Sequence, residues 1–423
     1  SWEGSEMPAF DTHRPPEQSV IDRCVHCGFC LDTCPTYVLW ANEADSPRGR
    51  IVLAGEGLSE AGQLSDQMVT HFDRCLGCMA CVTACPSGVQ YDRLIERVRP
   101  QVERHYRRPA AERVFRLLLF ATLPHPRRLR MLAPLLPASR RLGLDQLPGR
   151  PAQALRVAPR APAWAHRTGG FPEYTPAVGT RRGRVALLLG CVQRVFYPEV
   201  HRATIGVLSA EGFDVLAPRR ASCCGALEFH AGEERGASQR ARATIADFER
   251  LGIDHVVVNA AGCGSAMKEY GDLLGTEAAR RFAGRVRDVT ELLGAVEPVA
   301  PRGPVALRVV YHDACHLGHA QGIRQEPRAL LETIPQLELL EVPVESAICC
   351  GSAGVYNLLQ PEAAAALGQR KASHLADTGA EAIAAANPGC AAQLDYHLRA
   401  LGHRLPIHHP IELVWRSIRA AAA

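Results

Sequence analysis

Eight cysteines in the first hundred residues fall into two runs with identical spacing. Each run reads C-x2-C-x2-C-x3-C and is followed directly by proline. Two-cluster ferredoxins carry this run, because closely spaced thiolates can each bind one iron of a 4Fe–4S cluster. The spacing therefore predicts two 4Fe–4S clusters, with candidate ligands Cys24, Cys27, Cys30 and Cys34 in the first run and Cys75, Cys78, Cys81 and Cys85 in the second.

The fourth cysteine of each run is predicted to ligate the cluster of the other run, as is usual in two-cluster ferredoxins. The predicted ligand sets are Cys24, Cys27, Cys30 and Cys85 for one cluster, and Cys75, Cys78, Cys81 and Cys34 for the other. Structural zinc also takes four thiolates, but its sites more often use two separated C-x2-C pairs. Between the runs, Arg48 and Arg50 either offset the cluster charge or belong to an ordinary solvated helix face.

The remaining eight cysteines form an internal repeat in the second half of the chain. Each copy has a single cysteine, a Cys-Cys-Gly turn and a last cysteine: Cys191, Cys223, Cys224 and Cys263, then Cys315, Cys349, Cys350 and Cys390. Glycine after the vicinal pair allows close approach of the backbone. We interpret both sets as metal ligands, which would hold either a further iron–sulfur cluster or zinc. The alternative without a metal is that they are plain reduced thiols.

The secondary structure predicted around these cysteines is also repeated. Each copy opens with an apolar run, at 185–189 and 305–311, and has a later apolar strand at 256–258 or 382–385. Strands that alternate with helices indicate parallel βαβ units. The cysteines follow the predicted carboxyl ends of these strands, where open α/β sheets bind their ligands.

These patterns predict an α+β multidomain protein with four regions. They are a helical ferredoxin domain with two 4Fe–4S clusters at 1–100, a basic, proline-rich helical linker at 101–182, and two tandem α/β Cys-Cys-Gly domains with parallel sheets at 183–299 and 300–423. Ser46 before Pro47 is a helix-start signal, which favours a helical ferredoxin domain over one built from hairpins. In the linker we expect a helix at 110–123 and an extended segment at 148–176. Helix breaks are expected at Pro124, Pro126, Pro134 and Pro137.

Composition places the chain among soluble globular proteins, with 47% hydrophobic and 22% charged residues. Residues 1–20 contain no apolar signal core, and no stretch reaches the 18 or so apolar residues of a membrane span. We therefore expect a cytoplasmic protein with reduced thiols. Residues 101–184 hold 17 arginines and four acidic residues, a net charge of +13. This segment suits peripheral contact with the anionic inner face of the cytoplasmic membrane or an acidic partner; nucleic acid is not expected, because few aromatic residues are interleaved.

Together with the cysteine order, four stretches resemble the iron–sulfur subunit of glycolate oxidases. They are Cys24-Val-His-Cys-Gly-Phe-Cys30, Ser46-Pro-Arg-Gly-Arg-Ile51, Gly262-Cys-Gly-Ser-Ala-Met-Lys-Glu-Tyr270 and Cys349-Cys-Gly-Ser-Ala-Gly-Val-Tyr356. The resemblance covers residues 22–418. It implies a hetero-oligomer in which FAD on a partner subunit oxidises glycolate to glyoxylate, and this chain passes the electrons toward a quinone. This chain lacks a glycine-rich dinucleotide fingerprint, so we do not expect it to bind flavin itself.

Broader relatives supply the alternative functions. The iron–sulfur subunits of D-lactate and glycerol-3-phosphate dehydrogenases share the pattern, as do heterodisulfide reductases, whose repeats end in C-x2-C. Here Ala260 and Asn387 stand where the first cysteine of that pair would be, which argues against disulfide reduction. The remaining alternative is a scaffold in which the repeats hold only structural zinc.

Three histidines and one lysine near the repeat cysteines are further candidates. His312, His316 and His319 flank Cys315. They could form a proton relay, a quinone pocket or the surroundings of a cluster, or be ordinary residues at a strand end. Lys268, one of two lysines in the chain, is either a charge partner of a cofactor or one half of a surface salt bridge.

Overall fold

A computed structural model describes residues 9–59, 62–160, 170–218 and 223–422. In the described part of residues 9–105, helices and turns make up the whole structure. The helices are α1 (Gln18–Asp22), α2 (Pro35–Trp40), α3 (Pro47–Leu58), α4 (Asp66–Arg74), α5 (Ala80–Ala84) and α6 (Tyr91–His105), with a 3-10 turn at Glu43–Asp45. The N-terminal region is therefore helical, as the sequence predicts.

Helix α3 begins where the sequence predicts. The Ser46 side chain accepts a hydrogen bond of 3.0 Å from the backbone N–H of Gly49, and Pro47 occupies the first helical position. Such a cap satisfies one of the free N–H groups of the first turn and contributes about 1 kcal/mol. The helices then bury their apolar faces in one cluster, to which α3 contributes Ile51 and α4 contributes Phe72.

The basic segment contains four short helices. They are α7 (Ala110–Thr122), α8 (Pro126–Leu132), α9 (Leu135–Arg141) and α10 (Arg150–Val157). The helix predicted at 110–123 is confirmed. The prediction of an extended segment from residue 148 is wrong over α10, because this helix buries Val157 in an apolar cluster with Leu358 of the C-terminal repeat. Pro137 lies inside α9 and does not break it, and residues 161–169 lie outside the described part.

The first repeat, predicted at residues 183–299, is built on a five-stranded sheet of order β1-β3-β2-β4-β5, whose edge strand β1 comes from the segment predicted as linker. Its strands are β1 (Tyr174–Thr175), β2 (Gly183–Leu187), β3 (Phe213–Leu216), β4 (His255–Val258) and β5 (Val286–Asp288). All neighbouring pairs are parallel except the edge strand β1 with β3. The helices are α11 (Val192–Phe196), α12 (Pro198–Ala210), α13 (Ala226–Phe229), α14 (Glu234–Glu249), α15 (Ala261–Lys268), α16 (Tyr270–Leu274), α17 (Glu277–Gly284) and α18 (Val289–Gly294).

The second repeat, residues 300–423, has a four-stranded sheet of order β7-β6-β8-β9, in which every pair is parallel. Its strands are β6 (Leu307–His312), β7 (Leu337–Leu340), β8 (Ala382–Ala385) and β9 (Ile407–His408). Its helices are α19 (Cys315–Gly318), α20 (Glu326–Glu332), α21 (Tyr356–Leu359), α22 (Pro361–Ala376), α23 (Pro388–Ala400) and α24 (Pro410–Ala421). Strand β8 is wholly apolar and β4 nearly so, as parallel strands covered on both faces are. The predicted parallel sheets are confirmed.

The two repeats share one hydrophobic core. Helix α12 of the first packs on α24 of the second, and α18 of the first packs on α20 of the second. Helices α12 and α20 occupy equivalent positions in the two repeats, and so do α18 and α24. Each repeat therefore packs the same two helices against the other repeat, in reciprocal pairs, as the two halves of a two-fold dimer do. Leu187, Val207, Val309 and Ile411 are fully buried in this common core. The packing also brings the carboxyl ends of β4 and β8 together, where the Ala261 N–H donates to the Ala386 carbonyl over 3.1 Å.

Candidate iron–sulfur and cysteine sites

Both ferredoxin-type loops use the same backbone conformation. In the first loop His26 and Gly28 have φ of 54° and 91°, and in the second loop Gly77 and Met79 have φ of 66° and 61°. These positive angles lie in the left-handed region that residues other than glycine rarely adopt. Alternating left-handed residues turn successive N–H groups toward the inside of a loop, which makes a concave site for an anionic group. In the second loop the Gly77 N–H donates to the Cys75 sulfur over 3.4 Å.

The two loops differ in how far they are buried. Cys27 is exposed, and its neighbours Val25 and Phe29 are 67% and 69% exposed. One cavity at this surface is lined by five of the cysteines: Cys24, Cys27, Cys30, Cys81 and Cys85. The sulfurs of the second loop are buried. Burial raises the pKa of Cys81 well above its usual value, and the nearby Cys78, Cys75 and Cys34 sulfurs raise it further.

A buried arginine lies beside the second loop. Arg50 is 1% exposed and donates to the His71 carbonyl over 2.6 Å and to the Thr36 hydroxyl over 3.2 Å. Burial alone would raise the pKa of Cys75, but the charges of Arg50 and Arg99 outweigh burial and hold that pKa below its usual value. The charge-compensating role predicted for Arg50 therefore fits its position.

Arg48 lies in a different environment. It is partly exposed, pairs with Glu43 over 2.5 Å and donates to the His26 carbonyl over 3.1 Å. It therefore supports the backbone of the first loop from the surface.

The second loop packs against the second repeat. Leu76 and Cys78 share one apolar cluster with Cys315, Cys349 and Tyr356. The Tyr356 hydroxyl donates to the Arg74 carbonyl over 3.0 Å, one residue before Cys75. Burial raises the pKa of Cys78 well above its usual value, and the nearby Cys315 sulfur raises it further. The site predicted for one cluster and the cysteine set of the second repeat are therefore neighbours.

The four cysteines of the first repeat gather at the carboxyl edge of its sheet. The Cys223 and Cys191 sulfurs are 3.5 Å apart, and the Tyr270 hydroxyl donates to the Cys224 carbonyl over 2.6 Å. The hydrogen bonds that Cys223 shares with the Cys191 and Cys224 thiols hold its pKa well below its usual value, and the charge of Arg240 lowers it further.

The cysteines of the second repeat form an equivalent group. The Cys315 and Cys349 sulfurs are 4.0 Å apart, and the Asn387 amide donates to the Cys390 sulfur over 3.5 Å. The pKa of Cys315 is lowered chiefly by its hydrogen bond with Cys349, and that of Cys350 by hydrogen bonds with Cys349 and Cys390, with His312 adding to the effect.

The three candidate histidines lie in different environments. His312 is 1% exposed at the end of β6. His316 stacks on His230 with ring centroids 4.7 Å apart. The His319 Nδ1 is 2.7 Å from the Thr83 hydroxyl, close to the second ferredoxin loop. Only His312 is grouped with cysteine sulfurs of the second repeat among the described residues.

Lys268 forms an ion pair at the surface of the first repeat. Its Nζ lies 2.7 Å from a carboxylate oxygen of Glu291, and both side chains are partly exposed. This geometry favours the surface salt bridge over a cofactor partner.

Several charged residues beside the cysteines were missed by sequence reasoning. Arg99 donates to the Cys75 carbonyl over 2.6 Å and to the His230 carbonyl over 2.7 Å, and so joins the ferredoxin region to the first repeat. Lys371 is fully buried and donates to the Ser346 carbonyl over 2.6 Å. The sequence did contain a signal for Lys371, because it is a lysine on the otherwise apolar face of helix α22. It contained no signal for Arg99, which is one of many arginines in the chain.

Comparison with known proteins follows the same division of the chain. Residues 23–89 match the 4Fe-4S dicluster domain, and residues 185–268 and 309–395 match the Cysteine-rich domain. The chain is 35% identical over 406 residues to the probable glycolate oxidase iron–sulfur subunit of Bacillus subtilis (strain 168), with 89% of each chain covered. It is 35% identical over 417 residues to the glycolate oxidase iron–sulfur subunit of Escherichia coli (strain K12), with 95% of each covered. The chain belongs to the family of glycolate oxidase iron–sulfur subunits.

Proteins with lower sequence identity match a smaller part of this chain. The lactate utilization protein A of Oceanobacillus iheyensis is 26% identical over 237 residues, which cover 55% of this chain and 96% of that protein. In the described part of the chain, no helix combines the length and the hydrophobicity needed to cross a bilayer.

Proposed function

We propose that this chain carries electrons within a glycolate oxidase complex, from FAD on a partner subunit through two 4Fe–4S clusters toward a quinone. The observation that carries the proposal is the arrangement of the ferredoxin cysteines. Cys24, Cys27 and Cys30 of the first run line one cavity at the surface together with Cys85 and Cys81 of the second run. The presence of Cys85 beside the first run supports the predicted exchange of the fourth ligand between the runs. Iron–sulfur clusters accept and release single electrons, so a pair of them can divide the two-electron oxidation of an alcohol into single steps.

The other predicted set, Cys75, Cys78, Cys81 and Cys34, is buried. Arg50 supplies positive charge there, since it interacts electrostatically with Cys75 and Cys34. A cluster held by four thiolates is anionic, and a nearby buried cation favours its reduced, more negative state. We infer that the chain positions one cluster for exchange at the surface and the other for storage and transfer in the interior.

The exposed loop supports electron exchange with a partner chain. Val25 and Phe29 flank Cys27 and are largely exposed, although apolar side chains are usually buried. Exposed apolar residues around a redox group are typical of a docking surface, which excludes water between the two centres. We propose that the flavin subunit docks here.

The chemistry of the complex follows from its substrate. Glycolate loses two electrons and two protons to give glyoxylate, and the flavin of the partner accepts them. The electrons then pass singly through this chain, and a quinone that takes up two electrons and two protons becomes a quinol. The proposal thus assigns substrate chemistry to the partner and electron transfer to this chain.

The test uses the complete complex, kept anaerobic and mixed with glycolate, with the clusters followed by electron paramagnetic resonance. We expect glycolate to reduce them within turnover time. Reduction by D-lactate or glycerol-3-phosphate but not by glycolate would assign the chain to a different branch of the family. A Val25→Asp and Phe29→Asp double variant should slow reduction at least tenfold, whereas Val344→Asp, at a residue 55% exposed in the second repeat, should not.

We also propose that residues 101–182 contact the inner face of the cytoplasmic membrane. Between residues 114 and 147 of this segment, nine large apolar side chains are exposed: Val114, Leu117, Leu118, Met131, Leu132, Leu135, Leu142, Leu144 and Leu147. They are interleaved with exposed arginines such as Arg127 and Arg130. Arginine beside exposed leucine suits the headgroup region of an anionic bilayer. Sedimentation with anionic but not zwitterionic vesicles is the expected result, and equal binding to both would contradict it.

A further inference from the structure

One buried histidine of the second repeat lacks the partners that its burial demands. His312 is 1% exposed, and among the described residues neither of its ring nitrogens lies within hydrogen-bond distance of a partner, although the ring interacts with the nearby Cys350 thiol. Buried polar atoms are nearly always paired, because leaving one without a partner costs about 1–3 kcal/mol. An unpaired imidazole in a protein interior therefore points to a ligand.

The surroundings of His312 supply the rest of a metal site. A ring nitrogen of His312 and the sulfurs of Cys350 and Cys390 all lie within 4.8 Å of one another. Zinc binds sulfur at about 2.3 Å and imidazole nitrogen at about 2.0–2.1 Å, so the ligand atoms of a tetrahedral site lie about 3.5 Å apart. The three atoms therefore need only small shifts to surround one ion.

The ferredoxin cysteines provide an internal comparison. All eight are among the described residues, and no three of them are grouped at this short separation. This fits a cubane cluster, in which each thiolate binds a different iron and the sulfurs are held apart. The close group at His312 fits one ion instead.

We propose that the second repeat binds a single zinc ion through His312, Cys350 and Cys390, with a thiolate of the Cys315–Cys349 pair as the fourth ligand. A site of three thiolates and one imidazole is a common closed, structural zinc site. Lys371 is fully buried and interacts electrostatically with Cys349, Cys350 and Cys390. Its charge offsets the excess negative charge of three thiolates around a divalent ion.

The first repeat lacks this arrangement. His312 stands three residues before Cys315, and the residue three before Cys191 is Leu188, which is buried and apolar. The lysine is also missing, because Thr244 occupies the position on α14 that Lys371 occupies on α22. The proposal therefore assigns the zinc to one repeat only, and it does not depend on the electron-transfer function.

The experiment measures metals bound to the full chain purified without oxygen. Zinc and iron are counted by mass spectrometry, and X-ray absorption at the zinc edge identifies the bound atoms. We compare the wild-type chain with His312→Ala and His312→Cys, and with Leu188→Ala as the matched control at the equivalent buried position of the first repeat. Iron in the ferredoxin region reports whether each variant folds.

We expect about one zinc per chain with both nitrogen and sulfur neighbours in the wild type and in Leu188→Ala. His312→Ala should lose at least nine-tenths of the zinc after dialysis against a chelator while keeping about eight iron. His312→Cys should keep zinc but with sulfur neighbours only, which supplies a readout even if the alanine variant folds poorly.

Three results would overturn the proposal. Wild-type protein with no zinc and about 12 iron, some of it lost in His312→Ala, would place an iron–sulfur cluster in the second repeat. Zinc that survives in His312→Ala would place the ion elsewhere. Neither zinc nor extra iron in the wild type would leave both repeats without metal. The electron-transfer proposal fails separately, if the eight ferredoxin cysteines hold no iron.

Discussion

The two cysteine-rich repeats have the same order of four parallel strands and the same four cysteines, yet the groups around those cysteines differ. In the first repeat Leu188 is apolar and Arg240 supplies the positive charge beside Cys223. In the second repeat a ring nitrogen of His312 lies close to two of the sulfurs, and the buried Lys371 interacts with them electrostatically. The comparison teaches that the cysteine pattern duplicates a scaffold, whereas single side chains at the strand ends decide what each copy can bind.

The repeats also differ in their neighbours. Cys315 and Cys349 of the second repeat share an apolar cluster with Leu76 and Cys78 of the second ferredoxin loop. The first repeat meets the ferredoxin region through polar contacts, such as that of Arg99 with the His230 carbonyl. A substitution near the cysteines of the second repeat should therefore affect the predicted cluster site at Cys75, Cys78 and Cys81 more than the equivalent substitution in the first repeat.

The largest expected difference concerns the Cys-Cys-Gly turns. Gly225 and Gly351 both have φ of 81°, but an added Cβ at Gly351 would lie 2.5 Å from the Ala364 carbonyl oxygen, against 3.3 Å from that of Ala237 at Gly225. The left-handed conformation costs about 1–2 kcal/mol for alanine, and crowding in the core adds about 1–3 kcal/mol. We expect Gly351→Ala to lower the free energy of unfolding by about 2–5 kcal/mol, and Gly225→Ala by about 1–2 kcal/mol.

Denaturant unfolding of the two variants, followed by circular dichroism under identical anaerobic conditions, measures this difference. Equal losses of stability would show that the backbone around Ala364 relaxes freely, and that the turns are equivalent in spite of the closer contact.

Lowering the pH should reduce the stability of the fold by an intermediate amount. In the first repeat His201 is fully buried; its Nδ1 is 3.1 Å from the Asn259 amide, and burial lowers its pKa to about 3. In the unfolded chain a histidine has a pKa near 6.5, so below that pH only the unfolded state takes up the proton. The stability is thus fully present above pH 6.5 and is lost as the pH falls toward 3. His201 alone should lower the free energy of unfolding by about 2 kcal/mol when the pH falls from 7 to 5.

The matched variants are His201→Gln and His397→Gln. His397 belongs to a different buried polar network, in the second repeat, where its Nε2 is 3.2 Å from the Gln393 amide, and it is less deeply buried. We expect the first variant to flatten the loss of stability between pH 7 and pH 5 and the second to change it less. If both behave like the wild type, acid acts elsewhere in the molecule.

The smallest effect is expected at Lys268 of the first repeat. Its ion pair with Glu291 is partly exposed, and such pairs contribute about 0–1 kcal/mol. Lys268→Met should therefore lower the free energy of unfolding by less than about 1 kcal/mol and leave cluster potentials unchanged. A shifted cluster potential in a redox titration of this variant would revive the role of Lys268 as a charge partner of a cofactor.

Local signals in the sequence predicted many elements well. Ser46 and Pro47 marked the start of α3, and the apolar runs marked β4 and β8. Prediction failed where tertiary contacts outweighed local composition. Helix α10 forms within a proline-rich segment because its apolar face packs on the second repeat. Three short strands, β1, β5 and β9, have too few residues for any periodicity and were missed.

The sequence by itself determined the chemistry that was available: two ferredoxin runs, a duplicated set of four cysteines and the parallel βαβ units that carry them. These follow from residue type and short spacing, which the covalent chain sets directly. Only the tertiary structure decided that Cys78 meets Cys315, that Arg50 is buried beside Cys75, and that His312 faces two sulfurs without any other partner. The physical reason is that these neighbours come from distant parts of the chain, and packing between elements, which no local pattern encodes, brings them together.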